Sequence, residues 1–421
     1  MSGTESVRNG RTSWESWKRS LQGTFSTGAG IAAGQAATGI SLLVVARRSS
    51  VDGFGLFAAV FAATYFLGSL LDFGSSQLQT RALARGIGSD QFRSWLLKRS
   101  LLQAPVAAAF TVGLLRFVGD RLPAVSIVGL GLQSLTLPIS SGALAAVRAL
   151  KSPAVASWLV AGGNLVILLA ATASPSAALF STCGLAAATS WSLTAWWALT
   201  STRSLVGRVT VPKRFNPWQG SSRFGLFGIA VTLQSLDIAI ISGIAGSAAA
   251  GELAAVSKWE QPIALMAGAY SAHAFPALSS TMSHRSAIRS VRPLLALLAL
   301  GTTLVFGAIL IAPWLVSTFL GGRYSGSVFL LRLSLLGSLL VLVAQPFAAL
   351  LQARDQEHDV AIATIVAKLL AVLAVLLLAS HVGAVVSPLA AGLSNALLAV
   401  FFVLRARRLW LSEPSVAGSD R

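Results

Sequence analysis

Charged residues are scarce in this chain, and acidic ones are scarcer than basic ones. Of its 421 residues only 11% are Asp, Glu, Lys or Arg, whereas soluble domains contain about 25%. Hydrophobic residues make up 54% of the sequence, which is more apolar surface than a soluble fold can bury. The composition therefore excludes an ordinary soluble protein and predicts a chain that is largely embedded in a membrane.

Cysteine is nearly absent as well. Cys183 is the only one, so neither an intramolecular disulfide nor a thiolate metal cluster can form. The eight aspartates never occur two residues apart, and no spacing of His and carboxylates resembles a zinc site. The sequence thus predicts a protein that is not an enzyme and that has no cofactor and no resident metal. Whether H+ or Na+ acts as a coupling ion stays open.

Long apolar stretches recur from Leu21 to Leu404, and each is long enough for a helix of about 20 residues to cross a bilayer. Runs such as 294–316 are apolar on every face, which is typical of lipid-exposed helices and not of barrel strands. The sequence therefore predicts an all-α integral membrane protein with about twelve transmembrane helices. The predicted spans are Gly23–Ala46, Gly55–Leu71, Leu96–Phe117, Val125–Val147, Ala154–Ala173, Ser176–Thr200, Phe224–Ala245, Leu253–Phe275, Leu294–Leu315, Val328–Leu350, Val360–Ser380 and Gly383–Leu404.

The basic residues indicate how these spans are oriented. The formal charge is +18, but the Lys and Arg residues lie between spans and form no separate basic domain, which argues against nucleic acid as a partner. With the amino terminus inside, the cytoplasmic segments contain 24 of the 32 basic residues and the outer segments contain six. Because cytoplasmic loops are the basic ones, both termini are predicted to be cytoplasmic.

A weak internal repeat predicts two halves. The segment GLFAAV at 55–60 returns as GELAAV at 251–256, six spans later. An even number of spans per repeat gives parallel halves related by a pseudo-twofold axis along the membrane normal. The predicted division is a cytoplasmic tail (1–22), a six-helix lobe (23–200), a basic cytoplasmic linker (201–223), a second six-helix lobe (224–404) and a cytoplasmic tail (405–421).

Two long stretches carry a resemblance to a known family. The sequence VVARRSSVDGFGLFAAVFAATYFLGSLLDFGSSQLQTRALAR (44–85) resembles the start of bacterial polysaccharide-unit flippases of the multidrug/oligosaccharidyl-lipid/polysaccharide exporter superfamily. The stretch LQSLDIAIISGIAGSAAAGELAAVSKWEQPI (233–263) is similar to that family's seventh and eighth helices, with Asp237 at the usual acidic position. Departures are Glu252, where the family has Leu, and Lys258, where it has Arg.

The resemblance implies a MATE-like fold of two six-helix lobes around a central cavity. It implies a flippase of the bacterial cytoplasmic membrane for a lipid-linked glycan of the O-antigen, exopolysaccharide or teichoic type. Membrane lipid would be a further partner, and a polysaccharide polymerase or another assembly protein stays an open one. The nearest alternative is a cation-coupled drug antiporter on the same fold. It would need a protonatable carboxylate in the N-terminal lobe, and the first six spans have none near their centres.

Charges inside spans are costly, so each is a candidate functional residue. They are Asp237, Lys258, Glu260 and Lys368, with Asp72 near the end of a span. We expect Lys258 to attract the substrate diphosphate, with Asp237 or Glu260 compensating its charge or binding a coupling cation. On one continuous helix Lys258 and Glu260 are about 200° apart and would not pair. The alternative is a structural role in two interhelical ion pairs, Lys258 with Asp237 and Lys368 with Glu260.

Three arginines are predicted at the inner mouth of the transporter. Arg81 and Arg85 follow the second span, and Arg223 precedes the seventh. They could receive the diphosphate from the inner leaflet. The alternative is that they fix the topology against anionic lipid.

Overall fold

The structure, a computed structural model, describes residues 3–86, 91–206, 216, 218–263, 298–354 and 356–412. All regular elements in these ranges are helices, and none of the ranges contains a strand. The helices are α1 (Gly3–Arg48), α2 (Val51–Asp72), α3 (Ser75–Ala84), α4 (Phe92–Val118), α5 (Ala124–Leu150), α6 (Pro153–Ala173), α7 (Leu179–Ser201), α8 (Ser222–Leu233), α9 (Leu236–Ile244), α10 (Ser247–Val256), α11 (Leu298–Leu310), α12 (Ala312–Phe319), α13 (Ser327–Ala353), α14 (Glu357–Val382) and α15 (Val386–Ser412).

The predicted all-helical membrane fold is confirmed. Seven stretches of the described chain are long and apolar enough to cross a membrane, or eight if α11 and α12, bent by 67°, form one span. One of the seven, His358–Arg408, contains both α14 and α15. Eleven of the twelve predicted spans coincide with a described helix or helix pair, although 294–297 of the ninth lie outside the described residues. The eighth, Leu253–Phe275, shares only four residues with α10 and continues into turns, and its part 264–275 lies outside the described residues.

The helices satisfy their polar groups locally, as a chain in hydrocarbon must. Thr64 and Ser41 are buried inside α2 and α1 and donate to the carbonyls four residues earlier, Val60 and Ala37. At the start of α6 the hydroxyl of Ser152 accepts from the backbone N–H of Ala154 at 3.1 Å. Small hydroxyl residues are therefore compatible with these apolar spans.

Helix α3 lies where the sequence suggested only a basic loop. The turn before it has positive φ at Phe73 (43°) and at Gly74 (67°). Glycine is favoured at position 74 because it adopts a positive φ without strain. It is also required because a Cβ there would collide with the backbone of Phe224 and Gly225. With ten residues and three buried positions, α3 is too short and too polar to give a hydropathy signal.

Besides the ninth predicted span, which bends by 67° between α11 and α12, two further predicted spans are interrupted. The seventh breaks between α8 and α9 at residues 234–235, and the eighth breaks after α10, where 257–260 form turns. The second break has a clear cause, since Pro262 has no N–H to donate to the carbonyl of Lys258 and its ring crowds that carbonyl. We find no comparable cause in the sequence for the first break.

The contacts divide the chain into two compact units. The first unit comprises 1–41 and 67–225, and the second comprises 42–66 and 226–421. The core of the first unit includes Phe92, Trp95 and Leu144. The core of the second includes Leu351 and Phe402. The lobe boundaries inferred from the repeat stay a prediction.

The two repeated segments pack against each other within the second unit. A Cβ at Gly55 would collide with the carbonyl oxygen of Ser247, and a Cβ at Gly251 would collide with the carbonyl oxygen of Val51. In the repeat Val51 corresponds to Ser247 and Gly55 to Gly251, so the contact is reciprocal, as across a twofold axis. Ser247 also donates to the carboxylate of Asp52 at 2.9 Å. The sequence repeat is therefore a structural repeat at this crossing.

Candidate functional site

A cavity of about 670 Å³ lies within the second unit. Ligand pockets in proteins typically have volumes of about 300–1,000 Å³. Four charged residues predicted from the sequence line this cavity: Asp237, Lys258, Glu260 and Lys368. The neutral polar lining consists of Gln, Asn, Ser and Thr side chains, which can donate and accept hydrogen bonds. The cavity thus brings charged and neutral polar side chains together with apolar ones.

Helix breaks place several of these residues at the cavity. Gln234 lies in the break between α8 and α9, and Asp237 is in the first turn of α9. Lys258 and Glu260 lie in the turns that follow α10. Irregular backbone at membrane depth is tolerated where it lines a polar cavity or is buried in protein, and both breaks border the cavity.

Of the two cations that line the cavity, Lys258 is the one available to a ligand. Its side chain is half-buried, lines the cavity and forms no hydrogen bond or ion pair with any residue that the structure describes. Glu260 is similarly half-buried and lies within electrostatic range of Lys368, Lys258 and Asp237. The argument from a 200° separation does not apply to Lys258 and Glu260, because the helix ends at Val256.

Lys368 is held by neutral amides. Its Nζ donates to Oε1 of Gln234 at 2.9 Å and to Oδ1 of Asn395 at 3.0 Å. Oδ2 of Asp237 accepts from the hydroxyl of Ser387 at 2.8 Å, whereas its buried Oδ1 has no hydrogen-bond partner in the structure. The described part of the chain thus shows neither of the two ion pairs that the sequence offered as an alternative.

The first unit contains a different charged cluster, centred on Arg99. Its Nη1 pairs with Oδ1 of Asp72 at 2.8 Å and donates to the hydroxyl of Ser75 at 2.6 Å. Its Nη2 donates to the carbonyl of Pro138 in α5, and the guanidinium lies 4.5 Å from the ring centroid of Trp95. The side chain of Arg99 is 0% exposed and that of Asp72 is 15% exposed. The cluster therefore ties together α2, α3, α4 and α5.

Arg81 and Arg85 are not among the residues that line the cavity. Arg81 on α3 and Arg85 just after it are exposed and make no side-chain contact with charged or polar groups within the described ranges. Arg223 is the second residue of α8, and its side chain is outside the part of the chain that the structure describes. Of the eight predicted site residues, the structure therefore brings four together in the cavity and places Asp72 in the Arg99 cluster.

Sequence reasoning missed two kinds of residue. It counted Arg99 with the basic residues of the cytoplasmic segments, although the predicted span Leu96–Phe117 includes it. In the structure α4 begins at Phe92, which places Arg99 two turns inside the helix. It also searched the spans for charges alone and so overlooked the neutral groups Gln234, Asn395 and Ser387. A search for amides within spans would have found the first two.

Comparison with known proteins supports the fold. The inward-facing conformation of a multidrug resistance MATE family transporter of the MOP (multidrug/oligosaccharidyl-lipid/polysaccharide) superfamily matches with a TM-score of 0.67 and 14% identity, covering 90% of this chain and 96% of that one. Lipid II flippase MurJ in an inward closed conformation matches with a TM-score of 0.73 and 12% identity, covering 89% and 86%.

A third solved structure, a MOP superfamily transporter from Pyrococcus furiosus Vc1, matches with a TM-score of 0.60 and 16% identity, covering 94% of this chain and 96% of that one. No protein-family model and no curated protein sequence matches the chain. These three neighbours are transporters, and identities this low establish the fold alone. The chain therefore has the fold of MOP superfamily transporters, which is shared by MATE drug transporters and by a lipid II flippase.

Proposed function

We propose that the protein is a flippase that carries a polyprenyl-diphosphate-linked oligosaccharide or polysaccharide repeat unit from the inner to the outer leaflet of the bacterial cytoplasmic membrane. The proposal rests mainly on the ammonium group of Lys258, which lines the cavity and has no partner among the described residues. Transport proceeds by alternating access, with both termini in the cytoplasm. The fold shared with a lipid II flippase supports this assignment.

The chemistry of the cavity suits such a headgroup. A diphosphate and its sugars cannot cross hydrocarbon alone, because unpaired polar groups cost several kcal/mol each, on the order of 2–7. Lys258 offers a cation to the phosphate oxygens, and the amide and hydroxyl side chains can bond sugar hydroxyls. Lys368 is already engaged by Gln234 and Asn395. Lys258 is therefore the cation that we assign to the substrate, while the polyprenyl tail remains in lipid.

Arg81 and Arg85 are the proposed first contacts at the inner leaflet. Both side chains are exposed and project from or just beyond α3, whose last turn is basic. Exposed cations beside a membrane attract anionic groups with energies of about 1 kcal/mol each. They would raise the local concentration of the diphosphate without binding it tightly. Arg223, predicted at the same mouth, is assigned the same role.

The test is an analysis of lipid-linked intermediates in cells that carry Lys258→Ala. Loss of a charge-assisted contact of about 1.5–3 kcal/mol should reduce transport by about tenfold or more. We expect the complete glycan on its polyprenyl carrier to accumulate facing the cytoplasm, at a normal membrane level of the protein. Lys258→Arg is the matched control, since it keeps the charge, and it should retain most activity.

Full transport by Lys258→Ala would remove the assigned role of this residue. A drug antiporter is the competing function, favoured by the buried and unpartnered Oδ1 of Asp237 beside the cavity. In that case deletion of the gene would leave the lipid pools unchanged and would increase sensitivity to cationic drugs. The two outcomes exclude each other and can be read from the same deletion strain.

A further inference from the structure

The surroundings of the Lys368 ammonium group resemble a binding site for a small cation. Oxygen atoms from two other elements converge on it: Oε1 of Gln234, in the break before α9, and Oδ1 of Asn395, on α15. The amide of Asn395 is oriented for this purpose, because its Nδ2 donates to the carbonyl of Gly337 at 3.4 Å and its Oδ1 is left to accept.

A buried carboxylate lines the same cavity as these amide oxygens. It belongs to Asp237, which is 4% exposed and, like Lys368, is a lining residue. One of its oxygens accepts from Ser387, and the other is buried and has no hydrogen-bond partner. Two amide oxygens and one carboxylate are hard oxygen donors of the type that bind alkali and alkaline-earth cations.

We propose that Lys368 supplies, as part of the protein itself, the cation of an oxygen-lined monovalent cation site, so that the native protein binds no Na+ there. A tethered ammonium group neutralises Asp237 without an ion from solution. This inference goes beyond the proposed function, because it concerns the cation beside Asp237 and is independent of which substrate is carried. It predicts that removing the ammonium group creates a Na+ site from the oxygens that remain.

The experiment measures thermal unfolding of the purified full-length protein in detergent. Tm is compared in NaCl and in N-methyl-D-glucamine chloride at equal ionic strength, so that only the identity of the cation changes. A ligand that binds only the folded state raises Tm in a saturable way, here by about 3 °C. We expect that rise in Lys368→Ala, which leaves space for an ion, and no Na+-specific change in the native protein.

Two further variants make the result specific. Lys368→Arg keeps a fixed cation and should remain indifferent to Na+. Lys368→Ala combined with Asp237→Asn removes the carboxylate and should lose the Na+ response. If Lys368→Ala yields no folded protein, Lys368→Ser provides the same opening with a polar side chain.

Two results would overturn the proposal. One is a saturable rise in the Tm of the native protein with Na+ that disappears in Asp237→Asn, which would show that the site takes an ion from solution. The other is a folded Lys368→Ala or Lys368→Ser protein whose Tm does not respond to Na+. Because the readout is ion binding and not transport, failure of this proposal leaves the flippase assignment untouched.

Discussion

Each of the two units has a basic side chain within a helix long and apolar enough to cross a membrane, but the charge is compensated differently in the two. In the first unit Arg99 pairs directly with Asp72 and is 0% exposed, so the charges cancel within a closed cluster. In the second unit Lys368 is half-buried beside a cavity and is held by the neutral amides of Gln234 and Asn395. A direct ion pair fixes helices together. Neutral donors and acceptors leave the nearby charges available to a ligand.

The largest expected effect is on the stability of the first unit. Arg99→Ala leaves Asp72 without its ion-pair partner and should destabilise the protein by about 3–5 kcal/mol. Thermal unfolding of the purified protein measures the loss. Arg116→Ala is the matched control, since Arg116 is exposed near the end of the same helix, and it should change the stability by less than about 0.5 kcal/mol.

A double-mutant cycle separates the pair from its surroundings. If Arg99 and Asp72 act together, the Arg99→Ala, Asp72→Ala double variant should cost far less than the sum of the single variants. Simple additivity of the two effects would mean that the direct pair is not the source of stability. In that case the contrast between the two units would fail.

A smaller effect is expected in the second unit. Asn395→Ala removes one of the two amide oxygens that hold Lys368, and a hydrogen bond within a membrane protein contributes about 0.6–2 kcal/mol. Thermal unfolding should therefore show a loss well below that of Arg99→Ala. A loss as large as that of Arg99→Ala would indicate that the second cluster is also a structural lock. Gln234→Ala, which removes the other amide oxygen, should cost a similar amount.

The smallest effect on stability is expected at α3. Arg81→Ala together with Arg85→Ala should leave the stability unchanged, because both side chains are exposed and have no partner among the described residues. The same variant should slow transport by about two- to fivefold, through weaker attraction of anionic headgroups. If the variant and the native protein transport at the same rate at high ionic strength, this explanation is supported, since salt screens exposed charges. Unchanged transport at low salt would restrict these arginines to a topological role.

The fold could be predicted from the sequence because each membrane span is indicated by the summed hydropathy of many residues and not by any single one. Twenty or so apolar residues define a span whatever their order, so most of the predicted spans agree with the helices to within a few residues. The site depends on single residues and on where helices end. Arg99 lay near the start of a predicted span and was counted with the cytoplasmic basic residues, whereas its side chain is buried in a pair with Asp72.

The charges of the cavity were found for a simple physical reason: each is expensive in hydrocarbon and stands out in an apolar span. Their geometry was not found. The break at 257–260 depends on Pro262, which the sequence shows, but the partners of Lys368 come from residues 134 and 27 positions away. No local pattern indicates such distant contacts.

The crossing of Gly55 and Gly251 has a consequence for the ancestry of the chain. Each glycine makes room for the other copy's backbone, so the contact needs only one kind of segment, used twice. Two identical polypeptides carrying that segment could have associated face to face through it. Duplication and fusion of their gene would then have kept this helix–helix interface intact in the first fused chain. No new complementary surface would have had to evolve.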